Sequence, residues 1–237
     1  MFDLTLLSLS PPGWGATLLC GFLNSVTLAA GGYLIGLVIG IGGALGKLSD
    51  NAFLRELCDI YTTAVRAVPE LVLILVLYYA GTDALNQLLT VLGFASVDIS
   101  GLAAGILVIG VVQGAYSTEV LRGAILAIPH GQVETAKAYG MSPLLTLRRV
   151  TLPAMLPFAL PGLSNLWLIA TKDTALLAVV GFGELTLATK QAAGTTKDYL
   201  LFYTAAAAMY LCLTLLSNLV IKLIDRRATR GLAVMHA

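Results

Sequence analysis

Long apolar runs alternate with short polar intervals along the chain. Five runs stand out, at roughly 19–45, 57–80, 99–126, 154–180 and 199–224, and between them lie Lys47–Glu56, Gly81–Asp98, Ala127–Pro153 and Gly181–Asp198. A helix needs about 20 mostly apolar residues to cross the hydrocarbon core of a bilayer. Lipid offers no partner to an unpaired amide, so each run must close its hydrogen bonds internally. The pattern predicts an all-α polytopic membrane protein with five transmembrane helices, forming one transmembrane domain over residues 1–237.

Composition agrees with this. Hydrophobic residues make up 58% of the chain and charged residues 11%, against about 25% charged in a soluble domain. Mean hydropathy is +0.89. A net charge of +1 offers no electrostatic footprint for nucleic acid. Cys20, Cys58 and Cys212 sit in or beside apolar runs, with no C-x-x-C pair and no His at ligand spacing, which points to packing and away from a metal. No Lys or Arg precedes residue 47, so the first run lacks the basic leader of a cleaved signal and is expected to remain in the mature protein.

Basic residues orient the spans, because short cytoplasmic loops are enriched in Lys and Arg. Lys47 and Arg55 lie in the first interval, Arg122, Lys137, Arg148 and Arg149 in or beside the third, and Lys222, Arg226, Arg227 and Arg230 in the tail. These are ten of the fourteen basic residues, all on one side, with Lys190 and Lys197 opposite and Arg66 and Lys172 within runs. The bias predicts an outside N-terminus and a cytoplasmic C-terminus. Gly32, Gly36 and Gly40, and likewise Gly101, Gly105, Gly110 and Gly114, are spaced for close helix approach, either within the bundle or against another subunit.

An ionisable group within a span costs roughly 2.5–3.5 kcal/mol on insertion scales, so it faces a cavity or a partner. Arg66 lies near the middle of the second run, with Glu70 one turn later on the same face and Pro69 loosening the helix between them. Glu119 lies toward the cytoplasmic half of the third run, near Gln113 and Tyr116, and Lys172 and Asp173 interrupt the fourth. A structural reading pairs Arg66 with Glu70 and Lys172 with Glu119. A functional reading makes Arg66, Glu70, Gln113, Tyr116, Glu119, Lys172 and Asp173 a binding set. The guanidinium fork would take a carboxylate, and the acids an ammonium or guanidinium. Both readings hold together if an empty site closes on its own charges.

No catalytic constellation emerges. His130 follows Pro129 and reads as a solvated turn residue, His236 lies outside the runs, and neither H-E-x-x-H nor G-x-S-x-G occurs. Gly46–Lys47 fails as a P-loop, with Ile41 in place of its first Gly and Leu48 in place of the magnesium-binding Ser or Thr.

The third interval contains GQVETAKAYGMSPLLTLRRVTLPAML, residues 131–156, and reads as two short helices. Glu134 suits a helix start, Gly140 a C-terminal cap with positive φ, and Ser142–Pro143 a second helix start. Pro153, Pro157 and Pro161 distort entry into the fourth span. A helix–glycine–helix element between spans suits docking against a soluble partner.

At these residues the chain resembles permease subunits of bacterial ATP-binding-cassette importers. Their loop reads E-A-A, three residues, G, nine residues, I-x-L-P. Glu134, Thr135 and Ala136 stand at the same spacing from Gly140, and Val150, Thr151, Leu152 and Pro153 complete it, with Thr135 for Ala and Val150 for Ile. GGALGKLSDN (42–51), YTTAVRAVPELVLILVLYY (61–79), GAYSTEVLRGAILAIPHGQ (114–132) and ALPGLSNLWLIATKDTALL (159–177) are similar to the Q-type permease of histidine, lysine–arginine–ornithine and opine importers. The resemblance implies a type I importer permease fold in a bacterial inner membrane, surrounded by lipid. It implies residues 131–150 as a coupling loop, a homologous M-type permease as partner, two ATPase subunits that bind ATP and Mg, a periplasmic amino-acid-binding protein, and no cofactor in this chain. Two departures stand out: Ala67 replaces the Gly of R-G-x-P, and Asp173 replaces the Ser or Thr of K-S-T or K-T-T. The residues leave the ligand open among those amino acids and opines. Two other classes remain: an ion-coupled secondary transporter with Glu119 as proton carrier, whose folds contain inverted repeats and more spans, and a scaffold that docks an ATPase.

Overall fold

A computed structural model describes residues 3–92 and 100–228. Arg230 and His236 lie outside the described residues, as do positions 93–98 of the second interval. The described chain is helical, with α1 Gly15–Lys47, α2 Ala52–Ala67, α3 Glu70–Val91, α4 Gly101–Leu126, α5 His130–Ala138, α6 Pro143–Thr146, α7 Leu152–Asp173, α8 Leu185–Thr196 and α9 Tyr199–Ala228. Five stretches are long and apolar enough to cross a membrane: α1, α3, α4, the continuous stretch Pro143–Ala178, and Tyr199–Arg227.

The scaffold is the α1–α4 pair. Residues of α1 buried in the bundle include Gly32, Gly36, Gly40 and Gly43, one narrow stripe at helical spacing. A Cβ added at Gly32, Gly36 or Gly40 would press on Ile109, Gln113 or Ser117 of α4 respectively. The constant offset means that the helices run parallel, so the chain must return between them through α2 and α3. Gly110 and Gly114 answer from α4 against Ile35 and Ile39. The small residues thus serve packing within the bundle.

The second apolar run departs from the sequence expectation of one span over 57–80. It breaks at Val68, which is extended (φ −98°, ψ 140°) ahead of Pro69. A residue before proline is pushed out of the α region, and Pro69 has no N–H to give. Arg66 and Glu70 therefore belong to different helices, and α3 continues to Val91 through much of the expected loop. A second departure is α8, which fills most of the expected loop Gly181–Asp198 and buries Leu185, Ala188, Ala192 and Ala193 against α1 and α9.

The third interval matches its expected plan more closely. Gly140 has φ +73°, and the Ser142 hydroxyl caps α6, with Pro143 in the first turn. A π turn at Leu147–Thr151 joins α6 to α7. Pro153 cannot donate the next α-type bond, so widening this turn accommodates it. Glu134 sits mid-helix in α5, not at its start, and His130 is the exposed first residue of that helix. Cys20, Cys58 and Cys212 are free, and Cys20 and Cys212 are exposed on the surfaces of α1 and α9.

Candidate functional site

The break between α2 and α3 leaves two helix ends facing each other beside α4. Arg66 lies in the last turn of α2, and Glu70 opens α3. Each charge complements its helix end, because the partial charge is negative at a C-terminus and positive at an N-terminus. The Arg66 guanidinium lies over the Tyr116 ring, 6.0 Å from its centroid. Glu70 is within electrostatic reach of both Tyr116 and Asp173. From α4, Gln113 Nε2 donates to Asp173 Oδ2 at 2.9 Å. Gln113 is fully buried and Asp173 is 8% exposed. Gln113 Oε1, also buried, has no partner among the described residues. A buried amide oxygen without a donor costs about 1–3 kcal/mol, which a ligand N–H placed there would relieve.

The structure thus brings together Arg66, Glu70, Gln113, Tyr116 and Asp173, at the level of the middle of α4. No ion pair joins Arg66 to Glu70 among the described residues, contrary to the structural pairing expected from one continuous helix. Lys172 is exposed and does not pair with Glu119.

Glu119 belongs to a different group. Its Oε1 accepts from Lys47 Nζ, and its Oε2 pairs with Arg122 at 2.9 Å. Lys47 also reaches Asp59 at 2.7 Å and Thr62 Oγ1 at 2.8 Å. Both Glu119 oxygens are thus held by cations of the chain, one turn of α4 beyond Tyr116 and away from Arg66 and Asp173. The partner Lys47 is 72 residues distant, on another helix.

Sequence reasoning missed Glu184 entirely. It is fully buried, caps α8 through Leu187 N (2.8 Å), and accepts from Ser25 Oγ (3.2 Å) and Tyr210 Oη (3.1 Å). Asn24 Nδ2 donates to Gly183 O at 2.8 Å in the same region. Glu184 thus stitches α8 to α1 and α9 with every donor drawn from the fold, a structural carboxylate. Capping rules offer no signal for it, because the short Ser, Thr, Asp and Asn side chains are the preferred N-caps and Glu is not among them.

The loop residues divide by exposure. Ala136 is buried and Met141 N bonds back to its carbonyl, while Glu134, Thr135 and Gly140 face out. Tyr139 and Leu144 flank the glycine and are 82% and 75% exposed. Val150 is half-buried, and Leu152 and Pro153 are exposed at the start of α7. Among the described residues no group of three or more His, Cys, Asp or Glu could hold a metal.

Comparison with known proteins gives one answer. The sequence profile described as "Binding-protein-dependent transport system inner membrane component" matches residues 32–230. The octopine transport system permease protein OccQ of Rhizobium radiobacter is 39% identical over 228 residues, covering 96% of each chain. The nopaline transport system permease protein NocQ of Agrobacterium fabrum is 42% identical over 233 residues, covering 97% of this chain and 98% of its own. The histidine/lysine/arginine/ornithine transport system permease protein HisQ of Escherichia coli is 36% identical over 219 residues, covering 92% and 96%. A crystal structure of an amino acid ABC transporter with histidines superposes with a TM-score of 0.76 at 27% identity, covering 90% of this chain and 95% of that one. An inward-facing MetNI methionine transporter shares the fold, with a TM-score of 0.75 at 22% identity over 93% of this chain and 99% of that one. These relatives favour a binding-protein-dependent permease over an ion-coupled secondary transporter. By its profile match, its relatives over nearly full length and its fold, the chain belongs to the inner-membrane permease family of binding-protein-dependent ABC importers.

Proposed function

We propose that this chain forms, with a homologous M-type permease, the pathway of an importer for histidine, lysine, arginine and ornithine, or for opines. Two separate subunits bind and hydrolyse ATP with Mg, and a periplasmic amino-acid-binding protein delivers the substrate. The complex sits in a bacterial inner membrane with this chain's N-terminus outside and its C-terminus cytoplasmic. The observation that carries the reading is the broken helix: Arg66 and Glu70 on opposed helix ends, facing Tyr116 and the buried Gln113–Asp173 pair. Interrupted helices in transporters place ionic groups and free backbone dipoles along a polar path. Arg66 takes the substrate carboxylate, Glu70 and Asp173 take positive charge, and Gln113 Oε1 accepts a substrate N–H. Residues 131–150 dock into an ATPase subunit through Glu134, Thr135, Tyr139, Gly140 and Leu144.

Arg66→Lys keeps the charge and loses the planar fork. Uptake of labelled arginine, measured per assembled complex, should fall about ten-fold, the scale of one charge-assisted hydrogen bond. A structural role for Arg66 gives the opposite result: fewer assembled complexes, with unchanged uptake in each.

The orientation has its own test. Val91, 83% exposed at the end of α3, and Arg227 at the end of α9 lie at opposite ends of the bundle. A cysteine at residue 91 should react with an impermeant thiol reagent in intact cells, and one replacing the exposed Arg227, outside the docking loop, only after the membrane is opened. The reverse pattern would overturn the orientation drawn from charge bias.

A further inference from the structure

Lys47 ends α1, yet it is not a solvated loop residue: its side chain is 8% exposed and engages three residues on two other helices. On α2 these are Asp59 and Thr62, and on α4 the partner is Glu119, itself held by Arg122. The hub has a specific position relative to the polar cluster. Thr62 precedes Arg66 by four residues on α2, and Glu119 follows Tyr116 by three on α4. Those spacings stack residues one helical turn apart on the same face. The hub therefore lies one turn beyond the cluster on both helices, on the side of the 131–150 loop.

Beyond Glu119, α4 runs on to Leu126 and turns at Ile128–Pro129 into α5. Ile128 is buried with Ala44 of α1, Leu121 and Ala124 of α4, and Met155 and Ala159 of α7. The start of the loop is thus packed onto the end of α4 that carries Glu119 and Arg122. At this level α2, which holds Arg66, meets that body through side chains. Lys47 supplies the ionic link, bridging an acid on α2 and an acid on α4 with one ammonium.

We infer that Lys47 is a positioning residue for coupling: it locks α2 to α4, so that displacement of the loop moves Arg66 together with Gln113 and Tyr116. The inference rests on the permease reading above. Packing holds the helices in contact, and Tyr61 Oη of α2 donates to Val111 O of α4 on the far side of the cluster's turn. The ionic link adds a second, charged constraint on their register at the loop end, because Asp59 and Glu119 must both lie within reach of one nitrogen.

The test uses the whole importer in proteoliposomes, with its binding protein and ATPase subunits, labelled arginine as the probe and labelled octopine as a second probe. The readout is substrate taken up per ATP hydrolysed, in complexes counted after assembly. Lys47→Met keeps the apolar stem and removes the charge, leaving Glu119 paired with Arg122. Its uptake per ATP should fall about ten-fold, within the range of coupling changes seen on mutation away from ligand sites. Lys47→Arg should recover at least about half of the wild-type ratio, since it can bridge the same two acids. The double variant Lys47→Met/Glu119→Gln should be no worse than Lys47→Met, because residues acting through one link are not additive.

An unchanged ratio in assembled Lys47→Met, or an additive loss in the double variant, overturns the inference. If Lys47→Met fails to assemble, Asp59→Asn decides. Asp59 is half exposed, so its loss loosens α2 without burying an unpaired charge, and the ratio should fall about three-fold. An unchanged ratio there overturns the inference as well. A wild-type chain that neither copurifies with an ATPase nor responds to the loaded binding protein would instead sink the permease reading. Normal wild-type coupling with insensitive variants sinks only the role of Lys47.

Discussion

Gly40→Leu is expected to abolish the folded subunit, whereas Gly42→Leu two residues away leaves it intact. A Cβ at Gly40 would overlap Ser117 and stand 3.0 and 3.1 Å from the α4 backbone atoms Ser117 C and Thr118 N. A backbone cannot swing aside as a flexible side chain can, so the whole α1–α4 seam must separate. Overpacking a tight core costs typically about 1–3 kcal/mol, and more where backbone is the obstacle. Here the seam carries five glycines from α1 (Gly31, Gly32, Gly36, Gly40 and Gly43) and three from α4 (Gly105, Gly110 and Gly114), so its loss removes the scaffold on which α7 and α8 also pack. Gly42 has nothing within 4 Å of its added Cβ. The measurement is the yield of monodisperse protein in detergent and its thermal midpoint. Gly40→Leu should leave essentially no monodisperse protein, and Gly42→Leu should match the wild type in yield and midpoint. Equal behaviour of the two variants would show that α1 and α4 do not pack through this face.

Gly140→Val should uncouple the loop while leaving the subunit inserted. Gly140 holds φ at +73°, and no atom lies within 4 Å of where its Cβ would sit. Volume is therefore not the obstacle, and the cost is purely conformational. A left-handed backbone costs an ordinary L-residue roughly 1–2 kcal/mol, and a β-branched residue is a still poorer fit. Relieving that strain rotates α5 relative to α6, and with them the exposed Tyr139 and Leu144. Ligand-stimulated ATP hydrolysis and uptake should fall together by at least about ten-fold, equivalent to about 1.4 kcal/mol of misfit at the contact. Gly140→Asn is the control, because Asn tolerates the left-handed region, and it should retain most of both activities. If Val and Asn behave alike, the glycine's conformation is not what the docking requires.

Both glycine positions are legible in the sequence because their roles are local. Gly32, Gly36 and Gly40 recur every four residues, a periodicity that maps directly onto one helix face. Gly140, Ser142 and Pro143 are read from neighbours in the chain, because turns and caps are satisfied within a few residues of themselves. The break at Val68–Pro69 is equally local. Its signal is the residue before a proline, and that steric restriction outweighs the unbroken apolar run around it. The candidate cluster is only half legible. Costly charges within the apolar runs identify Arg66, Glu70 and Asp173 as candidates, but which of them meet depends on how α2, α3, α4 and α7 pack.

The sequence by itself determined the material of the fold: spanning helices, because lipid leaves the backbone no other partner, and the loop with its glycine turn. Tertiary structure alone decided the pairings. Glu119 reads as a substrate acid from its depth in a span, yet Lys47, 72 residues away, takes it. Glu184 gives no periodic or compositional signal, yet it joins Ser25, Tyr210 and the start of α8. An electrostatic partner is chosen by distance in space, and distance between helices is set by which faces interdigitate. Neither quantity is written in the spacing of residues along one chain.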